Sequence, residues 1–333
     1  MKVIIPLAGF GTRMRPHTWS RPKALMHVAG NTVLGHILEQ IEAITTDEVI
    51  FIVGYKGAEI EAWVNEHYAH LNAHFVIQEE PLGQAHALWL CRDFLDESPV
   101  FMTFGDGIID AEYEQLHAQA VDGIAFVEEV EDPRSFGVAV LGEDGAVKQI
   151  IEKPETLAHK LAVVGAYWFK NGRSLKSALD RMIAEEIKTK GEYYLADALG
   201  LLLQDGFKMH TMATKFWFDA GTPTNILETN KRLLGLGYGS EDAIDRSYGE
   251  DFTVIPPVFI HETAVIDGCV LGPYVSIGPE AHLERVIVKH SIIDANSKLT
   301  DMNLTESLIG EKSEVAGSSQ TLFVGDNSKM KFN

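Results

Sequence analysis

From Ile260 onward the chain repeats itself with a period of about six residues, and few folds tolerate such a repeat. Ile260-His-Glu-Thr-Ala-Val-Ile266 opens the series, and Leu271-Gly272, Ile277-Gly278, Leu283, Ile287, Ile293, Leu299 and Ile309-Gly310 continue it. Aliphatic side chains recur at one inward position, while Ala264, Val270, Val275 and Ala281 supply smaller residues at another. A short strand bounded in this way turns a corner and stacks on the next coil, so the pattern predicts a β-helix, with an irregular β-sandwich as the alternative. About four coils fit after Phe259 at that period. So short a solenoid closes its own ends poorly. It is expected to pack on the rest of the chain or on another subunit, which makes a homo-oligomer the expected state.

Up to about Leu234 the pattern is different. Short β-rich runs near Val3 to Ala8, Val49 to Val53, His74 to Ile77 and Val100 to Phe104 alternate with helical spacing, as in Leu34, Leu38, Ile41 and Ile44 or in Ile60, Trp63, Val64 and His67. That alternation predicts an α/β domain, a mixed but mostly parallel sheet covered by helices on both faces. Ligands of such sheets bind beyond the carboxyl ends of the strands, so the loops after Ala8, Ile77 and Phe104 should converge on one crevice. The Gly- and charge-rich stretch around Gly235 to Asp251 reads as a linker. With 333 residues, the expected organisation is a first domain over 1–236, a linker over 237–253 and the repeat domain over 254–333.

A formal net charge of −20 argues against a nucleic-acid partner and requires a binder of phosphorylated small molecules to gather its useful cations in one cleft. Cys91 and Cys269, the only cysteines, are too few and too distant for a disulfide framework or a cysteine-rich zinc site. Neither a signal peptide nor a membrane span is legible, so a cytoplasmic protein without a membrane partner is expected. His67, His70 and His74 lack convincing metal spacing and read as a solvated face.

The most informative segment runs from Leu7 to Lys23, directly after the first strand: Leu-Ala-Gly-Phe-Gly-Thr-Arg-Met-Arg-Pro-His-Thr-Trp-Ser-Arg-Pro-Lys. Gly9 and Gly11 let the backbone approach a phosphate, and successive N–H groups in such a turn form an anion-binding concavity. Arg13, Arg15 and Lys23 add positive charge. A dinucleotide fingerprint would carry a third glycine into a helix, but Met14 stands there and Pro16 and Pro22 interrupt helix formation. Further on, Gln78 precedes Pro81, Gly83 and Gln84; its amide offers both donor and acceptor, which suits uracil or thymine. Asp106 in Phe-Gly-Asp-Gly and Asp219 in Trp-Phe-Asp-Ala-Gly each sit at a loop mouth and supply hard oxygen ligands suited to magnesium.

Gly-x-Gly-Thr-Arg followed by Pro-x-Thr-x-x-x-Pro-Lys resembles the motif of the sugar-1-phosphate nucleotidylyltransferases, long forms of which carry a C-terminal left-handed β-helix. The resemblance implies a Rossmann-like catalytic domain that joins a nucleoside triphosphate to a sugar 1-phosphate and releases pyrophosphate. It implies that Leu7, Ala8, Gly9, Gly11 and Thr12 fold over the triphosphate, with Arg13 on the departing pyrophosphate and Lys23 at the reacting centre. It assigns Gln78 to the base and Gly83 to close nucleotide approach, and it gives Mg2+ to Asp106 and Asp219. Ile151-Glu152-Lys153-Pro154 is similar to the family's sugar-phosphate element. Glu152 would then accept sugar hydroxyls and Lys153 would neutralise the sugar phosphate. Gly137, Gly165 and Tyr167 match the adjoining wall, and Glu192 matches a further sugar-side element. Gln84, Gly107 and Ala196 depart from the usual residues.

The substrates so implied are dTTP or UTP with glucose 1-phosphate. A sugar phosphate is already largely dianionic, since its second pKa is about 6, so alignment and charge stabilisation suffice without a general base. Kept beside this are an acetyltransferase tail, a non-catalytic nucleotide-sugar sensor and transfer to phosphocholine.

Overall fold

The computed structural model describes residues 1–318 apart from positions 43, 45, 119 and 250; the end of the expected repeat domain, 319–333, lies outside the described residues. Two compact units emerge, one of Met1–Met26 with Asn31–Ile226, the other of His27–Gly30 with the chain from Leu227 onward.

The first unit is built on a nine-stranded mixed sheet. Strand Lys2–Pro6 lies between Glu48–Val53 and Val100–Thr103, parallel to both, and Ala73–Ile77 adds in parallel beyond Glu48–Val53. Because side chains alternate across a strand, Ile50 and Ile52 join one core with Ile4, Met102, Leu88, Leu179 and Leu199, while Phe51 stacks on Phe75 instead. Leu161–Phe169 then pairs antiparallel with Val100–Thr103 and Gly123–Glu129, which makes the sheet mixed. A separate antiparallel ribbon joins Gly107–Asp110 to Phe216–Asp219. The expected strands are present, and the helices Val33–Glu42 and Gly57–His67 fall on the predicted spacings except at Ile44, which is buried just beyond the end of the first helix.

The second unit is a parallel β-helix. Three four-stranded sheets each gain one strand per coil, so Phe252–Val254, Cys269–Leu271, Ile287–Lys289 and Asn303–Thr305 stack in one wall. Ile260, Ile266, Leu271, Ile277, Leu283, Ile293 and Leu299 fill the interior as expected, with Ala264, Val275 and Ala281. Two expected inward residues do not. Ile287 is 52% exposed and Val286 and Val288 point inward instead, while Val270 is only half-buried between buried Cys269 and Leu271. The cause is the coil length: Phe252 pairs with Cys269 but Ser276 with Ile292, a step of 17 residues that tightens to 16, so a fixed period of six slips.

The boundary also differs from 236. Within the second unit, buried Asn230 accepts bonds from Ala29 N at 2.9 Å and Ser276 Oγ at 2.6 Å, which ties the chain from Leu227 into that unit. The stretch read as a linker carries helix Ala243–Gly249 and strand Phe252–Val254, and Ala243 and Phe252 belong to the solenoid core. Among the described residues no helix is long and apolar enough to cross a membrane.

Candidate active site

All the geometry that follows lies within the first unit. After strand Lys2–Pro6 the chain makes three single 3₁₀ turns, Thr12–Met14, His17–Trp19 and Lys23–Leu25, as the prolines predict. Gly11 enters the first with φ +61°, a left-handed conformation that glycine adopts without strain. The Thr18 hydroxyl donates to its carbonyl at 2.8 Å and closes the turn. Met14 is fully buried and anchors the turn to the core, so its place in the motif is structural. A Cβ at Gly9 would meet nothing within 4 Å, which leaves open space there.

Leu7, Ala8, Gly9, Gly11, Thr12, Arg13 and Lys23 line a cavity of about 450 Å³. Its opposite contributions come from Gln78, Pro81, Gly83 and Gln84, and from Phe104, Gly105 and Asp106, so the three strand-end loops do converge. Gln78 is buried. Its Nε2 donates to Gly83 O at 3.2 Å and faces His86 Nδ1 at 3.2 Å. Gly83 has φ +113°, and a Cβ there would sit 2.5 Å from Tyr193 O. The glycine is therefore demanded by the neighbouring backbone, before any ligand is considered.

A second cavity, of about 490 Å³, is lined by Gly137, Glu152, Lys153, Gly165, Tyr167, Trp217 and Asp219 among others. Arg13, Gln84, Phe104 and Asp106 line both cavities, which therefore adjoin. The ribbon brings the two acidic loops together: Asp219 is registered with Gly107, and Ala220 N donates to Asp106 O at 2.9 Å. Lys23 Nζ bonds Asp106 Oδ2 at 2.8 Å; the lysine side chain is only 14% exposed, the aspartate 42%. Asp219 is held at both oxygens, Oδ1 by Gly221 N at 2.7 Å and Oδ2 by Asn225 Nδ2 at 2.5 Å. Gly107 leaves space for the Trp217 indole, whose Nε1 would lie 3.1 Å from a Cβ.

Glu152 closes the second cavity. Burial raises its pKa above the ordinary carboxylate value, Asp197 adds to the rise and Lys153, 4.0 Å away, opposes it. Tyr167 is raised as well, first by burial and then by Glu152. A Cβ at Gly137 would stand 3.1 Å from Glu152 Oε2, so the glycine clears the carboxylate. At Gly165 φ is +83° and a Cβ would strike Phe104, so backbone and ring dictate that glycine.

Every residue that the resemblance assigned to the site lines one cavity or the other, but Glu192 and the loop cation Arg15 are placed otherwise than expected. Glu192 lines the first cavity rather than the second, because the Thr189–Glu192 bridge and the Tyr193–Leu82 backbone bond carry it beside Gly83. Arg15 lies outside both linings. His70 pairs with Glu42 at 3.1 Å, away from either cavity. Two participants escaped sequence reasoning, Asn225 and His86. Asn225 follows Thr222-Pro223 at the start of helix Pro223–Gly235, a polar residue six beyond Asp219. His86 stands inside the Gln78 to Ala87 segment, and only the fold brings its ring to the Gln78 amide.

The sequence model of a family described as nucleotidyl transferase matches residues 2–235. The low-salt glycan biosynthesis nucleotidyltransferase Agl11 of Haloferax volcanii is 32% identical, over 99% of this chain and 100% of its own. A glucose-1-phosphate thymidylyltransferase of Streptomyces griseus is 30% identical over 99% of both chains. The crystal structure of a Bacillus anthracis protein described as a glucose-1-phosphate thymidylyltransferase superposes with a TM-score of 0.60 at 24% identity, over 69% of this chain and 94% of that one. This last likeness concerns the fold.

Proposed function

The chain belongs to the nucleotidyl transferase family, and from that premise we propose that its paired cavities join a nucleoside triphosphate to a sugar 1-phosphate, releasing pyrophosphate. The observation that carries this reading is the shared wall: Arg13 and Asp106 line both cavities, so substrates seated one in each would meet at those residues. The nucleotide takes the first cavity and the sugar phosphate the second. A phosphate oxygen of the sugar phosphate forms a bond to the α-phosphorus. The bond from that phosphorus to the bridging oxygen breaks, and its electron pair leaves with pyrophosphate.

Arg13 and Lys23 offset the charge of the triphosphate, Lys153 that of the incoming phosphate, and Glu152 accepts hydroxyl donors of the sugar. Leu7, Ala8, Gly9, Gly11 and Thr12 bring main chain up to the phosphates, and Gln78 with Pro81, Gly83 and Gln84 borders the base. Gly137, Gly165 and Tyr167 shape the sugar side. Catalysis rests on alignment and charge, and no general base is needed.

The family implies a divalent cation. Among the described residues no group of three or more His, Cys, Asp or Glu stands ready for a metal, but Asp106 and Asp219 on adjoining turns fit magnesium. That ion binds through one or two carboxylates and otherwise keeps water and phosphate oxygens. When bound it would supply charge neutralisation at the phosphates. Likeness to the Streptomyces griseus relative supports glucose 1-phosphate as the sugar and a pyrimidine triphosphate as the donor, and the exposed solenoid sides support a homo-oligomer.

The test is pyrophosphate release over a matrix of nucleoside triphosphates and sugar 1-phosphates with Mg2+. Release should require both partners and be highest with dTTP or UTP plus glucose 1-phosphate. No release with any pair would sink the proposal.

A further inference from the structure

We propose that His86 is a specificity-positioning residue: it locks the Gln78 amide so that the base subsite offers an acceptor, which selects uracil or thymine against cytosine. The inference rests on the nucleotide being held in the first cavity. A glutamine alone is ambidextrous, since its oxygen accepts and its nitrogen donates, and rotation of the amide exchanges them. Here both amide protons find an acceptor inside the protein as long as His86 Nδ1 carries no proton. Nε2 lies 3.2 Å from Gly83 O, which can only accept, and 3.2 Å from His86 Nδ1. Turning the amide over would set Oε1 against the Gly83 carbonyl, two acceptors facing each other. Among the described residues no protein group pairs with Oε1, and Gln78 is part of the cavity wall.

His86 completes the lock only while its Nδ1 accepts, which places the ring proton on Nε2 and requires neutral imidazole. The surroundings favour that form. Burial depresses the His86 pKa, Lys188 depresses it further and Glu80 opposes them. The Trp89 and Tyr193 rings lie near-parallel to the imidazole, at 6.1 and 6.3 Å, and limit its rotation. The Gly83 carbonyl is equally fixed: Tyr193 N donates to Leu82 O at 2.9 Å and Ala85 N to Tyr193 O at 3.0 Å, so the turn is stitched on both sides.

A fixed acceptor discriminates between bases of one size. Uracil and thymine carry N3–H, a donor to Oε1. Cytosine carries a bare N3, so two acceptors would face each other in a half-dry site. A site built around a hydrogen bond rejects analogues that cannot make it far more strongly than an apolar pocket rejects a change of size.

The experiment measures kcat/KM for UTP, dTTP and CTP with glucose 1-phosphate as acceptor. His86→Phe keeps a planar ring but removes the acceptor, and His86→Asn restores an acceptor through its amide oxygen. The UTP-to-CTP preference should fall by about tenfold or more in His86→Phe, chiefly through KM, and stay within about threefold of wild type in His86→Asn. Acidification from about pH 8 to about pH 5 should erode the preference of the wild type but not that of His86→Asn, a readout that needs no folded Phe variant. Equal losses on UTP and CTP, an undiminished preference in His86→Phe, or a pH-independent wild-type preference would each overturn the lock. A wild type that releases no pyrophosphate from any triphosphate strikes the underlying functional reading, and the lock with it. A pyrimidine-selective wild type with indifferent variants strikes the lock alone.

Discussion

Replacing Asn225 by alanine should weaken the enzyme's response to magnesium while leaving the fold intact. Asn225 Nδ2 donates to Asp219 Oδ2 at 2.5 Å, and Gly221 N holds the other oxygen at 2.7 Å, so the carboxylate is clamped from two directions. Removing one clamp lets the group rotate, and a metal must then restrict that rotation on binding. A hydrogen bond to a charged group contributes about 1.5–3 kcal/mol, which converts to a loss of about 10- to 150-fold. Partners of metal ligands independently give about 10- to 100-fold on removal. The expected outcome is thus a rise of about 10- to 100-fold in the Mg2+ concentration for half-maximal pyrophosphate release. Asn225 is half-buried at a helix start, so the melting temperature should move by only a few degrees. The assay is a magnesium titration at saturating substrates, with a thermal melt alongside. A shift below about threefold with normal turnover would refute the idea that Asn225 orients Asp219 for the metal.

Asn230→Ala should destabilise the second unit by about 2–5 kcal/mol, because it strands the buried Ala29 N–H and the Ser276 hydroxyl; denaturant unfolding followed in the intact chain would show less than about 1 kcal/mol if those bonds carry nothing. Glu152→Gln should raise stability at neutral pH. Burial raises the folded-state pKa of Glu152 above its unfolded value, so the folded protein loses stability as pH climbs through that window and the wild-type charge is a cost above it. The gain in melting temperature should therefore shrink on acidification toward the unfolded carboxylate value, about 4.3, and a gain independent of pH would contradict this cause.

Residues that stand directly after a buried strand were readable because topology alone delivers them to the crevice. Ala8, Gln78 and Asp106 each follow an apolar run, and parallel strands place their ends at one edge of the sheet. Asp219 was readable by motif, and the ribbon Gly107–Asp110 with Phe216–Asp219 explains how a residue so distant in sequence arrives beside Asp106. His86 and Asn225 belong to another class. Their importance lies in which atom they face, and no periodicity encodes whether a histidine turns Nδ1 toward an amide. Gly83 and Gly165 were expected for reasons of ligand space, whereas Tyr193 and Phe104 already exclude a side chain there. A glycine in a motif records a crowded point without saying which neighbour crowds it. The solenoid failed in its details for a simpler reason: coils of 17 and then 16 residues carry a six-residue count out of phase by Ile287.

The proposed chemistry also accounts for an otherwise awkward charge balance. A chain of net charge −20 must attract ligands that are themselves strongly anionic, and long-range steering works against it. What counts is then the field at short range. Lys23 is nearly buried and already pinned to Asp106 at 2.8 Å, so the cleft holds its cation in place without leaving it to solvent. On the proposed reading an arriving phosphate would meet a positioned ammonium, and Asp106, the carboxylate that the ammonium holds, would be the partner for a divalent cation bound with it. Arg13 stands at the junction of the two cavities, more exposed than Lys23. In a displacement where attacking and leaving oxygens lie on opposite sides of phosphorus, the transferred group passes through that junction. Arg13 and Asp106, common to both walls, are therefore the charged residues placed where charge would move, with Lys23 on the side of the first cavity and Lys153 on that of the second.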